Sequence, residues 1–490
     1  MTPSDEARVL DAVPTGLFIG GTWRPAAGGA TLAVDDPATG KTLVEVADAR
    51  PEDGMDALAA ACAAQASFAA MAPRERGEIL RRAYELIMSR VDDLALLMTL
   101  EMGKPLAESK GEIAYAAEFF RWFGEEAVRI DGGYAIAPAG TSRFMVLKQP
   151  VGVCLLITPW NFPMAMGTRK IGPAIAAGCA MVIKPAAQTP LSMHALAAIL
   201  VEAGLPDGVL NVVTTSDAGG VMEPLIRDGR ARKLSFTGST GVGKLLLEQA
   251  SEKVLKTSME LGGNAPFLVF DDADLDKAVD GAMQAKMRNM GEACTAANRF
   301  LVHRSVAPAF ADRIAERMGA LVVGRGTEDG VHVGPLVDAK GRDKVVDLVR
   351  DAVDKGAAVK VGAQPGDGPG YFYPPTVLTD VPLAARLSHE EIFGPVAAIT
   401  VFDDEDEAVA AANDTEFGLV SYLFTENLTR ALRVSERLEA GMIGLNTGLV
   451  SNPAAPFGGV KQSGLGREGG SVGIDEFLET KYVAIGYDGK

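Results

Sequence analysis

Apolar positions change their rhythm along this chain. Between residues 52 and 126 they recur with helical spacing: Ile79, Ala83, Leu86 and Ile87 follow i, i+4, i+7, i+8, one face of an amphipathic helix. From Val151 the pattern turns to short apolar runs between helical stretches: VGVCLLI (151–157), AMVIK (180–184), VLNVVT (209–214), KLSFT (233–237) and VLKTSMEL (254–261). Short β-branched runs alternating with helices predict βαβ units, hence a doubly wound parallel sheet covered on both faces. A second alternating block opens at Phe267 with FLVF and runs through FLVH, PVAAITVF, GLVSYLFT and MIGLN, so a second α/β domain is expected to end near residue 446. The stretches 128–150 and 477–487 read as strands belonging to neither core. Exposed strands of that kind seek a partner, here another subunit.

A length of 490 residues agrees with more than one core, and 48% apolar with 23% charged residues is the composition of a globular protein. The net charge of −17 opposes a nucleic-acid interface and an anionic membrane surface. Small anions remain open, because a few local Arg or Lys residues dominate a pocket. The polar start, Met1 to Thr15, lacks a signal-peptide pattern, and no apolar run reaches the roughly 18 residues of a spanning helix, so a cytoplasmic protein is expected. Four widely spaced cysteines fit neither a disulfide framework nor a zinc site, and four scattered histidines support neither a metal centre nor a Ser-His-Asp triad. Cys62, Cys154 and Cys179 lie in apolar or alanine-rich surroundings and read as buried small hydrophobes. Cys294 differs, standing among Gly291, Glu292, Thr295 and Asn298.

The polar motifs sit where parallel strands end, which is where such sheets bind ligands. FTGSTGVGK (236–244) places Gly238 and Ser239 at the start of a helix, a geometry suited to a pyrophosphate, although glycine-rich turns are common. Lys184, closing the second run, points at a ribose or phosphate or is an ordinary solvated lysine. Cys294 precedes a predicted helix whose N-terminus would lower its pKa and make it a nucleophile; the alternative is an inert thiol. Glu260 ends an apolar strand before two glycines, and burial there would raise it toward a general base. Asn161, between Trp160 and Phe162, is suited to donate to an oxyanion, or is a turn residue.

Taken together, TLEMGKP (99–105), TPWNFP (158–163), KPAAQTP, FTGST, MELGGNAP (259–266), the GxxC of Cys294, EEIFGPV (390–396) and PFGGVKQSGLGRE (456–468) resemble the aldehyde dehydrogenase superfamily over essentially the whole chain. The resemblance implies two doubly wound α/β domains plus a β-strand oligomerisation flap. Residues 1–127 and 147–261 would form the cofactor domain, 262–446 the catalytic domain, 447–474 a return segment, and 128–146 with 475–490 the flap of a homodimer or homotetramer. It implies Cys294 as nucleophile, Glu260 as base for the hydrolytic water, Asn161 as oxyanion donor and Lys170 as a lysine tuning the site. Thr158, Trp160, Lys184, Ala187, Gly238, Ser239, Leu261, Glu391 and Phe393 would contact the cofactor. No metal is implied. Many NAD-preferring relatives carry a Glu where this chain has Ala187, so NADP is expected to be favoured and NAD usable.

Within the superfamily, TRKIGPAIAAGC, LSFTGSTGVGK, NTGLVSNPAAPFGG and EGGSVGIDEFLETKY look most like succinate-semialdehyde dehydrogenases. That resemblance implies an aldehyde bearing a carboxylate, gripped by Arg169, Arg288 and Ser451, with glutarate semialdehyde or a broader aldehyde range as alternatives. A noncatalytic binding protein of the same family is the alternative class, opposed by the retained Cys294 and Glu260. Relatives often carry GQTC where this chain has Gly291-Glu292-Ala293-Cys294, and Ala296 replaces the second cysteine of a redox-switch pair found in some.

Overall fold

The computed structural model of the chain describes residues 2–366 and 368–486. The first sheet has eight strands. Five of them are parallel: β1 (Cys154–Ile157), β2 (Met181–Lys184), β3 (Leu210–Val212), β4 (Lys233–Thr237) and β5 (Lys256–Glu260), in spatial order β3-β2-β1-β4-β5. Each of β1 to β4 is buried at every position, because helices cover both faces and both sets of side chains need apolar surroundings. Antiparallel strands close the two edges: Leu17–Ile19 beside β3, and Gly464–Leu465 beside β5.

The second sheet has seven strands. Its parallel core contains β6 (Ala265–Val269), β7 (Ala297–His303), β8 (Val396–Phe402), β9 (Val420–Phe424) and β10 (Met442–Leu445). Only Leu261–Asn264 separate β5 from β6. The carboxyl end of one sheet is thereby tied to the amino end of the other, and the groove between them is set by covalent connection. In the first sheet the strand order reverses at the β1–β4 pair, the crevice where open α/β sheets hold ligands.

Five helices bear on the site: α1 (Val91–Met102), α2 (Leu106–Glu126), α3 (Ala165–Ala177) after β1, α4 (Leu191–Glu202) after β2 and α5 (Thr240–Ser251) after β4. A sixth, α6 (Ala339–Asp354), belongs to the second unit. The helical rhythm of residues 52–126 resolves into Pro51–Ala70, Pro73–Ser89, α1 and α2. The strands expected outside both cores form a separate antiparallel sheet, Leu478–Gly486, Ser142–Pro150 and Gly133–Ile136. Residues 487–490 of the expected flap lie outside the described residues. Two expectations are corrected. Cys62 is partly exposed rather than buried, whereas Cys154 and Cys179 are buried. Cys294 opens no helix: it lies in a turn three residues before β7, whose ladders with β6 and β8 override the helical propensity of CTAAN.

Candidate active site

A cavity of about 460 Å³ lies in the groove between the sheets. Asn161 and Trp160 reach it from the loop after β1, Gly238 and Ser239 from the turn after β4, and Glu260 and Leu261 from the end of β5. Opposite them stand Cys294, Glu391 and Phe393. The second sheet therefore presents the amino ends of its strands to the cavity, with Cys294 before β7 and the Glu391–Phe393 segment before β8. The ligand rule of carboxyl ends holds for the first sheet only.

The glycines of MELGGNAP permit this approach. A Cβ on Gly263 would meet the Cys294 carbonyl oxygen at 2.7 Å, and one on Gly262 would meet Glu391 Oε2 at 3.2 Å. The Gly263 N–H donates to Glu391 Oε1 at 3.1 Å. Burial pushes the Glu391 carboxyl up to about 7, against the pull of Lys344 and Lys286. Phe393 holds a left-handed backbone (φ 57°) and meets Trp160 edge-on at 5.4 Å between ring centres.

The Cys294 thiol keeps partial access to the cavity, yet burial pushes it up to about 12; Arg169 and Arg288 pull it down, and Glu391 and Glu260 push it up. No helix N-terminus assists, so the nearby guanidinium groups supply the favourable field. Glu260 is buried with no hydrogen-bond partner on either carboxylate oxygen. Burial and the neighbouring Glu468 raise it well above the usual carboxylate range, opposed by Arg169, Lys170 and Arg467. The Asn161 amide Nδ2 donates to the main-chain oxygen of Glu292 at 3.0 Å, holding it beside the turn that carries Cys294, and its Oδ1 has no partner.

Other expected residues stand behind the cavity wall. Lys170 is fully buried on α3, donating to Ser235 Oγ at 3.0 Å and to Glu468. Arg169 pairs with Glu468 at 2.9 Å and lies over the Phe457 ring at 4.1 Å. Arg288 instead donates to Ser451 Oγ at 3.2 Å, flanked by the Phe162 ring at 4.9 Å and the Tyr115 ring at 5.5 Å. Among the described residues no carboxylate forms an ion pair with Arg288. Thr158, Lys184 and Ala187 flank the ends of β1 and β2, outside the cavity lining. Burial alone lowers Lys184 to about 8.

Sequence reasoning missed Lys340, Lys344 and Asp338 of α6 and its cap, which line the cavity from across the groove. It also missed Lys286, which is fully buried and donates at 3.2 Å to both the Gly394 carbonyl and Asn298 Oδ1, and which burial lowers to about 7. Glu468 was visible only as the residue shared by two motifs, closing PFGGVKQSGLGRE and opening EGGSVGIDEFLETKY, with no role attached. Glu292 is buried, accepts from the Val337 N–H at 3.2 Å, and leaves Oε2 without a partner.

The site suits a dinucleotide on this structure's own terms. Ser239 caps α5 without a side-chain bond, leaving the helix N-terminus open to an anion, and a Cβ at Gly238 would strike the Phe236 ring at 2.4 Å.

A family model described as "Aldehyde dehydrogenase family" matches residues 23–483. The chain is 60% identical to a succinate-semialdehyde dehydrogenase of Paenarthrobacter nicotinovorans over 90% of its own length and 98% of that protein. It is 51% identical to a glutarate-semialdehyde dehydrogenase of Pseudomonas aeruginosa, covering 96% of this chain and 97% of the relative. A solved structure described as an NADP-dependent enzyme of E. coli superposes with a TM-score of 0.96 at 49% identity, covering 98% and 99% of the two chains.

Proposed function

The chain belongs to the aldehyde dehydrogenase family, and we propose that it oxidises succinate semialdehyde to succinate with NADP or NAD, NADP being favoured. The observation that carries the substrate reading is the pairing of Arg288 with Ser451 at 3.2 Å, a guanidinium without a protein carboxylate beside the nucleophile's turn. An ω-carboxylate supplies the missing partner. Arg169 is committed to Glu468, so we assign Arg288 and Ser451 as the principal anchor and Arg169 as a supporting charge.

An aldehyde cannot release hydride until a nucleophile has made its carbon tetrahedral. In our reading the Cys294 thiolate adds to the carbonyl, and the oxyanion is met by the Asn161 amide and the Cys294 N–H. A nicotinamide bound in the cavity supplies the hydride acceptor. Gly238 and Ser239 would hold its pyrophosphate, Lys184 and Glu391 its riboses, and Thr158, Trp160, Leu261 and Phe393 would shape its bed. Loss of hydride leaves a thioester on Cys294, and Glu260 takes the proton of the water that hydrolyses it. We further propose that the eight-stranded unit carries the cofactor, the seven-stranded unit the nucleophile and the separate antiparallel sheet a homodimer or homotetramer contact. Four free thiols fit a reducing compartment, and the cytoplasm is the one we propose.

The test is a substrate series on wild type and Arg288→Ala: succinate semialdehyde, glutarate semialdehyde, butyraldehyde and benzaldehyde. Wild type should prefer the two carboxylated aldehydes. One charge-assisted contact is worth about 1.5–3 kcal/mol, so Arg288→Ala should lose roughly ten- to hundredfold in kcat/KM on those two and little on butyraldehyde. Glutarate semialdehyde is the second reading, favoured by the Pseudomonas relative, and one methylene separates the two by about 1–3 kcal/mol. A wild type that works best on benzaldehyde would refute the carboxylate anchor.

A further inference from the structure

The TLEMGKP motif has no role in the chemistry above, yet it delivers a buried cation to the active site. Lys104 sits between α1 and α2, where Gly103 turns the chain with a left-handed φ of 94°, and only 1% of its surface is exposed. Its Nζ donates to the main-chain oxygen of Asn161 at 2.8 Å and pairs with Glu112 of α2, itself buried. Glu112 in turn accepts from the Met164 N–H at 3.0 Å and the Ala165 N–H at 3.2 Å, the start of α3. A second donor meets the same carbonyl: Asn289 Nδ2 reaches Asn161 O at 3.0 Å and Glu292 O at 2.9 Å. Burial lowers the Lys104 ammonium, with Arg288 acting in the same direction, and Glu112 and Glu108 oppose them.

A buried ion pair is poor evidence of stabilisation, because apolar residues of the same volume often serve as well or better. Here one end of the pair is spent on a single peptide group and the other on the helix entry that follows it. Fixing the Asn161 carbonyl fixes the peptide plane that follows its Cα, and with Nδ2 held on the Glu292 oxygen, which Asn289 also grips, the residue is restrained at both its main chain and its side-chain amide. We infer that Lys104, with Glu112 and Asn289, is a positioning device that aims the Asn161 amide at the oxyanion formed on the Cys294 adduct. The inference rests on the reading of Asn161 as oxyanion donor.

The experiment is a mutant cycle on the full-length enzyme: wild type, Lys104→Met/Glu112→Gln, Asn161→Ala, and the three changes together. Removing both charges leaves no unpaired buried ion, and the amide oxygen of the introduced glutamine still accepts from the α3 entry. Thermal melting should therefore stay within a few degrees of wild type. Acylation is read as the rate of the first-turnover burst of reduced nucleotide at saturating aldehyde. A misplacement of about 1 Å costs on the order of a hundredfold, so the Lys104/Glu112 variant should burst roughly ten- to a hundredfold more slowly. Loss of the oxyanion donor should slow the burst by about a hundred- to a thousandfold. Because Lys104 acts only through Asn161, the triple variant should match Asn161→Ala within about threefold, which a merely structural loss would not reproduce. A wild-type burst in the Lys104/Glu112 variant overturns the inference, as does a loss that multiplies in the Asn161→Ala background. A wild-type burst in Asn161→Ala overturns the oxyanion reading instead. If the double variant does not fold, Asn289→Gly keeps the left-handed backbone (φ 52°) available and removes the second donor. The same cycle and the same two overturning outcomes apply to it.

Discussion

At the scale of single residues, the site is a contest between burial and charge. Glu260 has no hydrogen-bond partner, so burial, with Glu468 beside it, raises its carboxyl well above the usual carboxylate range, and Arg169, Lys170 and Arg467 pull the other way, toward the ionised form. As hydrolytic base it works only when ionised, so deacylation should rise with pH through that elevated pKa. Glu260→Gln should retain a burst near one equivalent of reduced nucleotide and then turn over about two to four powers of ten more slowly. A normal steady rate in that variant at neutral pH would assign the water to another group. Lys184 sets a second pH dependence. Burial lowers it to about 8, so it is charged below that pH and neutral above. A 2′-phosphate is attracted only by the charged form, and kcat/KM reports the free enzyme. The ratio of kcat/KM for NADP to that for NAD should therefore be nearly level from about pH 6.5 to 7 and then fall with a midpoint near 8. Ala187→Glu should move the ratio toward NAD at every pH. A ratio that rises with pH would show that Lys184 does not meet the phosphate.

At the scale of elements, legibility followed burial and local pattern. Most of the parallel strands were readable because a short, mainly apolar run stands between helices, as in CLLI and MVIK, and Glu260, Lys184 and KLSFT fall within a residue of where the runs end. The hairpins Leu17–Arg24 and Thr31–Ala47 were not readable, being short or half-exposed and lacking a clean period of two. The turn of Cys294 was misread as a helix start because alanines dominate it, whereas its course is set by strands far away in sequence. Lys104 and Asn289 escaped notice for the same reason: their partner, the Asn161 carbonyl, is 57 positions away from Lys104 and 128 from Asn289, and Glu112 meets the Met164 and Ala165 N–H groups 52 and 53 positions away. The turn itself is strained. Asn289, Met290 and Gly291 are successive left-handed residues, with φ of 52°, 57° and 79°. A Cβ on Gly291 would meet the Gly394 carbonyl oxygen at 2.2 Å, so Gly291→Ala must move either the Cys294 turn or the segment carrying Phe393. We expect a loss of about 2 kcal/mol or more in stability, and a fall in kcat/KM larger than any measured at Gly111, where a Cβ meets nothing within 4 Å. Equal melting temperatures for Gly291→Ala and Gly111→Ala would contradict the close approach.

At the scale of the whole molecule, a chain of net charge −17 gathers Lys104, Arg169, Lys170 and Arg288 within reach of one cysteine turn. Lys104, Arg169 and Lys170 are buried and Arg288 half-buried, so the carboxylated aldehyde we propose as substrate would meet local positive charge inside an acidic protein. The remaining feature is the antiparallel sheet outside both cores. Leu478–Gly486 pairs with Ser142–Pro150 over nine residues, and Gly133–Ile136 adds a third strand. Among the described residues Leu478 is its only buried position, while Tyr134, Ile136 and Tyr482 are 66%, 57% and 65% exposed. A sheet this small needs an apolar face packed against something to persist in water. The other described residues leave these three side chains exposed, and a second copy would present the same edges and rings, so self-association, as proposed, would bury them symmetrically. Light scattering at micromolar concentration should give an integral multiple, two or four, of the 51.2 kDa chain mass. Ile136→Lys with Tyr482→Lys places charge on the exposed face without touching either core. It should lower the mass by at least half and leave the melting of the two α/β units within a few degrees of wild type. A wild type that scatters as 51.2 kDa would remove the subunit partner and leave this sheet's order without a cause.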